Sequence, residues 1–176
     1  MTVLNVDTRV DHFRIVRHLD GGLLAETYEV FDEESKETFA LKVLKREFVD
    51  EMDFSDRFHR ECQVISQLEN DAVVSLDRFD VTKWKHWLCY EYFEGFEIEG
   101  STIRNLRDYL RVHPTGLQEE EAVFVVGQIL QALKQAHGIG LLHRNLKPSN
   151  VMLRRGEGDR LEVRIADFAM ARLVGE

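Results

Sequence analysis

The spacing of apolar residues changes character partway along the chain, from short strand-like runs to helical stripes. Phe13-Arg14-Ile15-Val16-Arg17-His18-Leu19 alternates imperfectly and runs into the turn signal Asp20-Gly21-Gly22. Thr27–Asp32 reads as a second strand, Asp32–Lys36 as a polar turn and Thr38–Leu44 as a third strand, together an antiparallel meander. Phe54, Phe58, Cys62, Ile65 and Leu68 then recur at spacings of four, four, three and three, the stripe of an amphipathic helix closed by Asn70-Asp71. Two more strands are predicted over Val73–Val81 and His86–Tyr92, with a turn at Thr82-Lys83-Trp84-Lys85.

Glu94-Gly95 and Glu99-Gly100 flank a predicted linker, which divides the chain into residues 1–95 and 96–176. Beyond it the pattern is helical. Ser101 is a candidate N-cap for a helix using Ile103, Leu106 and Leu110 and stopped by Pro114. Glu119-Glu120-Glu121 opens a second helix, its acidic first turn favoured by the helix dipole. That helix runs to Gly138 and is apolar on a wide face through Ala122, Val123, Val126, Ile129, Leu130 and Leu133. A polar stretch, His143–Leu153, leads to a hairpin turning at Arg155–Asp159 and a strand over Leu161–Ala166. No repeat or low-complexity segment interrupts the chain.

Composition narrows the classes. At 176 residues and 44% hydrophobic, the chain is long enough for one domain or two small lobes, and 31% charged residues suit a folded, soluble protein; strands followed by helices make it α+β. A net charge of -9 argues against a nucleic-acid or anionic-membrane binder, which needs clustered Lys and Arg. Residues 1–10 lack a signal-peptide pattern, and the run from Ala122 to Leu133 is too short and too polar to span a bilayer. Cys62 and Cys89 lie far apart without metal-ligand spacing, as two free thiols of a cytoplasmic protein would.

The chemistry-bearing residues gather in a few places. His143-Arg144-Asn145-Leu146-Lys147-Pro148-Ser149-Asn150 carries more polar groups than a plain core strand would. It resembles the catalytic loop of protein kinases, H-R-D-L-x-x-x-N, with Asn145 where the family has Asp. Leu19–Tyr28 resembles the glycine-rich loop between two strands. Only Gly22 stands at a family glycine position, and Asp20 and Ala25 replace the other two; by itself the loop reads more readily as an ordinary hairpin turn. Ala40-Leu41-Lys42 resembles V-A-I-K, and Glu61, nineteen positions on, is the candidate partner of Lys42; separately, each could be a solvated charge. Leu88–Gly95 resembles the strand and hinge that carry adenine, and Asp167-Phe168-Ala169 resembles D-F-G.

Order and element type make the combination specific. From Phe13 to Arg172 the chain is similar to eukaryotic-type Ser/Thr protein kinases. The resemblance implies a kinase-like fold: a five-stranded antiparallel N-lobe sheet with one helix, then the first, mainly helical part of a C-lobe. It implies ATP and magnesium as ligands, with Leu19, Gly22, Thr27, Ala40, Lys42, Tyr90, Glu91, Phe93, Met152 and Asp167 around the nucleotide. Asn150 and Asp167 would hold the metal. Lys42 and Glu61 would pair, Lys147 would reach the transferred phosphate, and His143 would be a packed core residue.

The departures bear on turnover. Asn145 cannot take the substrate hydroxyl's proton, and losing a general base typically costs about 10²- to 10⁴-fold in rate. Ala169 replaces a glycine, and Asp20 sets a negative charge beside a polyanion. The chain stops shortly after Ala169, so the apolar face of the second helix is exposed, covered by a protein partner, or covered by further chain. Three functions compete: a pseudokinase acting as a nucleotide-binding regulatory or interaction module, a slow Ser/Thr kinase seen as part of a longer chain, and a small-molecule phosphotransferase.

Overall fold

Alternating burial along the early strands explains why they form a sheet. In the computed structural model, which describes residues 3–49, 54–68, 70–82, 85–156 and 161–168, the first strands are β1 (Arg9–Val10), β2 (Phe13–Gly21), β3 (Ala25–Asp32) and β4 (Thr38–Leu44). β5 (Leu76–Thr82) and β6 (Lys85–Glu91) complete an antiparallel sheet in the order β1-β2-β3-β4-β6-β5. The sheet has six strands where five are expected. The extra strand is the two-residue β1, folded back on β2 at Asp11, whose φ of 58° makes the tight reversal. It is too short to leave an alternation pattern. The imperfect alternation of β2 also has a cause: the register with β3 shifts between Ile15 and Arg17 and again between His18 and Asp20.

One sheet face is a core. Ile15 opposes Val30, Val30 opposes Phe39, Leu41 opposes Cys89 and Val43 opposes Trp87. These pairs pack with Phe13 and Tyr28 into a buried cluster. The sequence predicts one helix here; among the described residues there are two, α1 (Arg46–Val49), only four residues long, and α2 (Phe54–Ile65). α2 buries Phe54, Phe58, Cys62 and Ile65, four of the five predicted stripe positions. Leu68 is buried too, but beyond the helix end.

The chain divides into two units, the described residues among 3–66 and 75–92 forming the first, and those among 67–74 and 93–168 the second. The division thus falls between Tyr92 and Phe93, with residues 67–74 joining the later part. The predicted linker is a hairpin, β7 (Phe96–Ile98) and β8 (Ser101–Ile103), reversed by Glu99 and Gly100 at φ 48° and 79°. Ser101 is therefore a strand residue and not the N-cap. The cap is Asn105, whose Oδ1 accepts from the Asp108 amide at 3.0 Å to start α3 (Leu106–Val112). α4 (Glu119–Gly138) follows the sequence reading at both ends.

The 3-10 turn Pro148–Asn150 feeds β9 (Val151–Arg155), which pairs with β10 (Leu161–Ile165). Residues 157–160 of that hairpin's turn, and Lys83-Trp84 of the earlier one, lie outside the described residues. Ile103, Tyr109, Val125, Val151, Leu153 and Val163 form the second unit's core. The predicted apolar face of α4 is in part exposed: Val123, Val126 and Leu130 are 67, 51 and 60% accessible, and Phe124, outside that prediction, is 44% accessible. No described helix is long and apolar enough to cross a membrane.

Candidate functional site

The first unit gathers its share of the predicted residues on the sheet face opposite the core. Lys42 lies in register with Thr27 on one side and Leu88 on the other; Ala40 lies in register with Glu29 and Tyr90. Directly opposed residues share a face, as do residues two apart. Thr27, Ala40, Lys42 and Tyr90 therefore line one surface. α2 packs on that surface too. Phe54 and Phe58 meet the edge of His86 at ring distances of 5.0 and 5.1 Å, and His86 is in phase with Leu88 and Tyr90 on β6. Half-buried Lys42 and the helix bearing half-buried Glu61 thus share a sheet face.

The loop from β2 to β3 is tight. The Gly22 amide donates to the Ala25 carbonyl at 2.9 Å, and Leu19 sits at the second register shift of β2. Asp20 lies opposite Thr27, which puts its carboxylate on the face of Lys42; its Oδ1 accepts from the Gly21 amide at 3.0 Å. On the other face sits Glu26, which no motif or spacing singles out. Its buried carboxylate meets His18 Nε2 at 2.8 Å and Lys45 Nζ at 3.2 Å. Burial works against that charge, yet the bonds from His18 and Lys45 outweigh it and hold the carboxyl below its ordinary pKa.

At the end of β6 the Glu91 amide is already committed, donating to the Ser75 carbonyl at 3.1 Å while Glu91 Oε1 accepts from the Ser75 amide at 2.8 Å. Tyr90 is buried, as the bulky residue expected there. Tyr92 was not among the predicted residues, but its hydroxyl donates to Glu29 Oε2 at 2.7 Å and accepts from Arg17 Nη2 at 2.9 Å. Phe93 belongs to the second unit, buried with the guanidinium groups of Arg154 and Arg164 at 4.7 and 5.5 Å from its ring centre.

The second unit contains a closed circuit of hydrogen bonds. His143 Nε2 donates to the Ala166 carbonyl at 2.9 Å. The Ala166 amide donates to the Asn150 carbonyl at 2.8 Å, and Asn150 Nδ2 donates to the Asn145 carbonyl at 2.8 Å. The Asn145 amide returns to His143 Nδ1 at 3.2 Å. These two bonds fix the imidazole tautomer, with the proton on Nε2. Burial lowers the His143 pKa against the opposing pull of the Ala166 bond and the Asp167 charge, so the ring is neutral. Buried and lying 4.6 Å from the Phe168 ring, His143 is the packed core residue that its sequence context suggests.

The circuit orients the chemistry-bearing residues around it. Arg144 and Asp167 hold φ at 58° and 66°, left-handed values that non-glycine residues adopt at a cost. Lys147 is exposed and extended just before Pro148, and the Asn150 amide closes the turn on the Lys147 carbonyl at 2.9 Å. Asn145 is exposed, whereas Asn150 is 5% accessible. With Nδ2 spent on Asn145, the Asn150 amide turns its carbonyl oxygen away from that backbone. Met152 is half-buried on β9, in register with Arg164. Ala169 lies outside the described residues. Among the described residues no group of three or more His, Cys, Asp or Glu side chains is placed to hold a metal ion.

Known proteins resemble this chain in sequence and in fold. Residues 13–176 match the family described as protein kinase domain. The serine/threonine-protein kinase PknJ of Mycobacterium tuberculosis is 30% identical over 164 residues, 93% of this chain and 26% of that protein. The serine/threonine-protein kinase Pkn1 of Myxococcus xanthus is 29% identical over 168 residues, 96% of this chain and 23% of that protein. The crystal structure of the Mycobacterium tuberculosis PknI kinase domain aligns with a TM-score of 0.77 at 25% identity, over 99% of this chain and 64% of that one. The chain spans about a quarter of the length of these two sequence relatives. With the antiparallel sheet, the helices and the loop circuit in place, and a match across nearly its whole length, the chain belongs to the protein kinase family.

Proposed function

We propose that this Ser/Thr kinase-like domain binds ATP with magnesium while its phosphotransfer is impaired, and that it acts as a regulatory or interaction module. The observation that carries the reading is Asn145: its main chain is tied into the loop circuit, but its side chain is an amide. The main chain at position 145 is fixed on both sides, without a side chain that would accept a proton.

The nucleotide residues are Leu19, Gly22, Thr27, Ala40, Lys42, Tyr90, Glu91, Phe93, Met152 and Asp167. Lys42 pairs with Glu61 and is aimed by it at the phosphates, and Lys147 reaches the terminal phosphate. The donor set suits magnesium: an amide oxygen on Asn150 and the Asp167 carboxylate are hard oxygen ligands, few in number, to be completed by phosphate and water. When bound, magnesium would neutralise phosphate charge. Asp20, on the face of Lys42, weakens the electrostatic attraction for a polyanion. The accessible apolar side chains of α4 support a protein partner on that face.

The test is thermal. Magnesium-ATP raises the melting temperature, and Lys42→Ala or Asp167→Ala removes the rise; no rise at millimolar nucleotide leaves a scaffold without a nucleotide. A second reading, an active but slow Ser/Thr kinase forming part of a longer chain, is favoured by the retention of Lys42, Glu61, Lys147, Asn150 and Asp167.

A further inference from the structure

Exposed residues of α4 follow a spacing that reads the same in both directions. Glu119, Val123, Val126, Gly127, Leu130 and Lys134 are all exposed, at successive spacings of four, three, one, three and four. At 3.6 residues per turn these six positions fall within about 100° of arc. Val125, Ala132 and Ala136, the buried residues of the helix, lie on the opposite side.

We infer that α4 pairs antiparallel with α4 of a second copy of this chain, about a twofold axis passing between Val126 and Gly127. Such a pairing gives the accessible face of the proposed interaction module its occupant, and so rests on that reading of the face. In this register Glu119 meets Lys134 of the second copy, Val123 meets its Leu130, and Val126 meets its Gly127. The twofold repeats each contact, so one stripe supplies an apolar centre and an ion pair at either end.

Charge is the first reason for a second copy. A stripe that is acidic at one end and basic at the other complements itself when the two helices run antiparallel, whereas a parallel pair would set Glu119 against Glu119. Gly127 is the second reason. A Cβ there would meet nothing within 4 Å, so no contact within the chain calls for a glycine. Inside a helix that glycine costs stability relative to alanine. Facing Val126 of the second copy, it leaves the room that lets two backbones approach. The third reason is spacing: Val123, Val126 and Leu130 are three and four residues apart, the seam along which one helix packs on another. Twenty residues of α4 make a contact about 30 Å long. That is a small interface, and the dimer is weak, with a Kd between about 1 μM and 1 mM.

Sedimentation equilibrium of the full chain measures the association. Salt at about 0.15 M screens the net charge of -9 on each copy beyond about 8 Å. Wild type should pass from monomer to dimer as its concentration rises to about 1 mM. Glu119→Lys sets Lys against Lys at both ends of the pair, and Lys134→Glu sets Glu against Glu. Each alone should weaken dimerisation by about tenfold. An equimolar mixture of the two variants has opposite charges at both ends again, and should associate as tightly as wild type. Gly127→Gln fills the gap with a better helix former, so it should weaken the dimer without lowering the melting temperature of the monomer. Wild type that stays monomeric at every concentration overturns the second copy as occupant. So does a mixture that associates no more tightly than its two components. Monomeric wild type that also binds no more of an apolar dye than Leu130→Glu overturns the partner-face reading itself.

Discussion

Asn150 Nδ2 donates to the main-chain carbonyl of Asn145 at 2.8 Å, so the proposed metal ligand also holds the residue at the base position. Asn150 is 5% accessible while Asn145 is exposed, so losing this bond costs about 0.5–1.5 kcal/mol, the net worth of an ordinary hydrogen bond. Asn150→Ala should lower the melting temperature and abolish the magnesium dependence of the nucleotide-induced rise. Asn150→Asp should be at least as destabilising, because it sets a second acceptor against the Asn145 carbonyl. Thermal melts with and without magnesium-ATP check both; an Asp variant as stable as wild type would remove the circuit's importance.

Acid should destabilise the protein in two stages. Burial, with a smaller push from the His59 charge, lowers the pKa of His86 from its ordinary 6.5, and burial lowers that of His143. A depressed folded pKa means that the unfolded chain binds the proton first. The stability from the neutral ring is complete above pH 6.5 and is lost as pH falls toward the folded value. Glu26 and Asp32 are also depressed in the folded state, from 4.5 and 3.8, so their contribution is lost as pH falls further through their folded values. Urea unfolding from pH 8 to 3 should show both declines. His86→Phe should flatten the first.

Gly95 and Gly100 both hold positive φ, 83° and 79°, but differ in surroundings. A Cβ on Gly95 would overlap the Ile103 carbonyl oxygen, a backbone atom, whereas one on Gly100 meets nothing within 4 Å. Gly100→Ala should cost only the left-handed penalty of about 1–2 kcal/mol. Gly95→Ala should cost distinctly more and disturb the β7–β8 hairpin. Equal losses in denaturant titrations would contradict the packing difference.

The strands were legible where alternation was undisturbed. β4 was read at both ends, and the four apolar anchors of α2 follow directly from their spacing. β1 was not, because two residues carry no period. The Asn105 cap was available in principle, since Asn three residues before Asp108 precedes the apolar turn of α3, but Ser101 drew the start of the helix too early. The motif residues of the proposed site could be named from sequence because each lies in a local pattern. The Arg17–Glu29–Tyr92 hydrogen bonds could not, because they depend on the shift at Val16 that brings Arg17 opposite Glu29, and on a tyrosine 63 residues further on. Glu26 was hidden for the same reason: its partners are fixed by register rather than by sequence neighbourhood.

The central claim is a nucleotide site joined to a missing base, and Asn145→Asp tests it most directly. Single-turnover phosphate transfer and magnesium-ATP affinity should be measured for wild type and Asn145→Asp in a protein carrying this chain with a full second lobe. The account predicts matched affinities, with transfer by Asn145→Asp faster by about 10²- to 10⁴-fold, the usual contribution of a positioned general base. Wild-type transfer as fast as that of Asn145→Asp would contradict it.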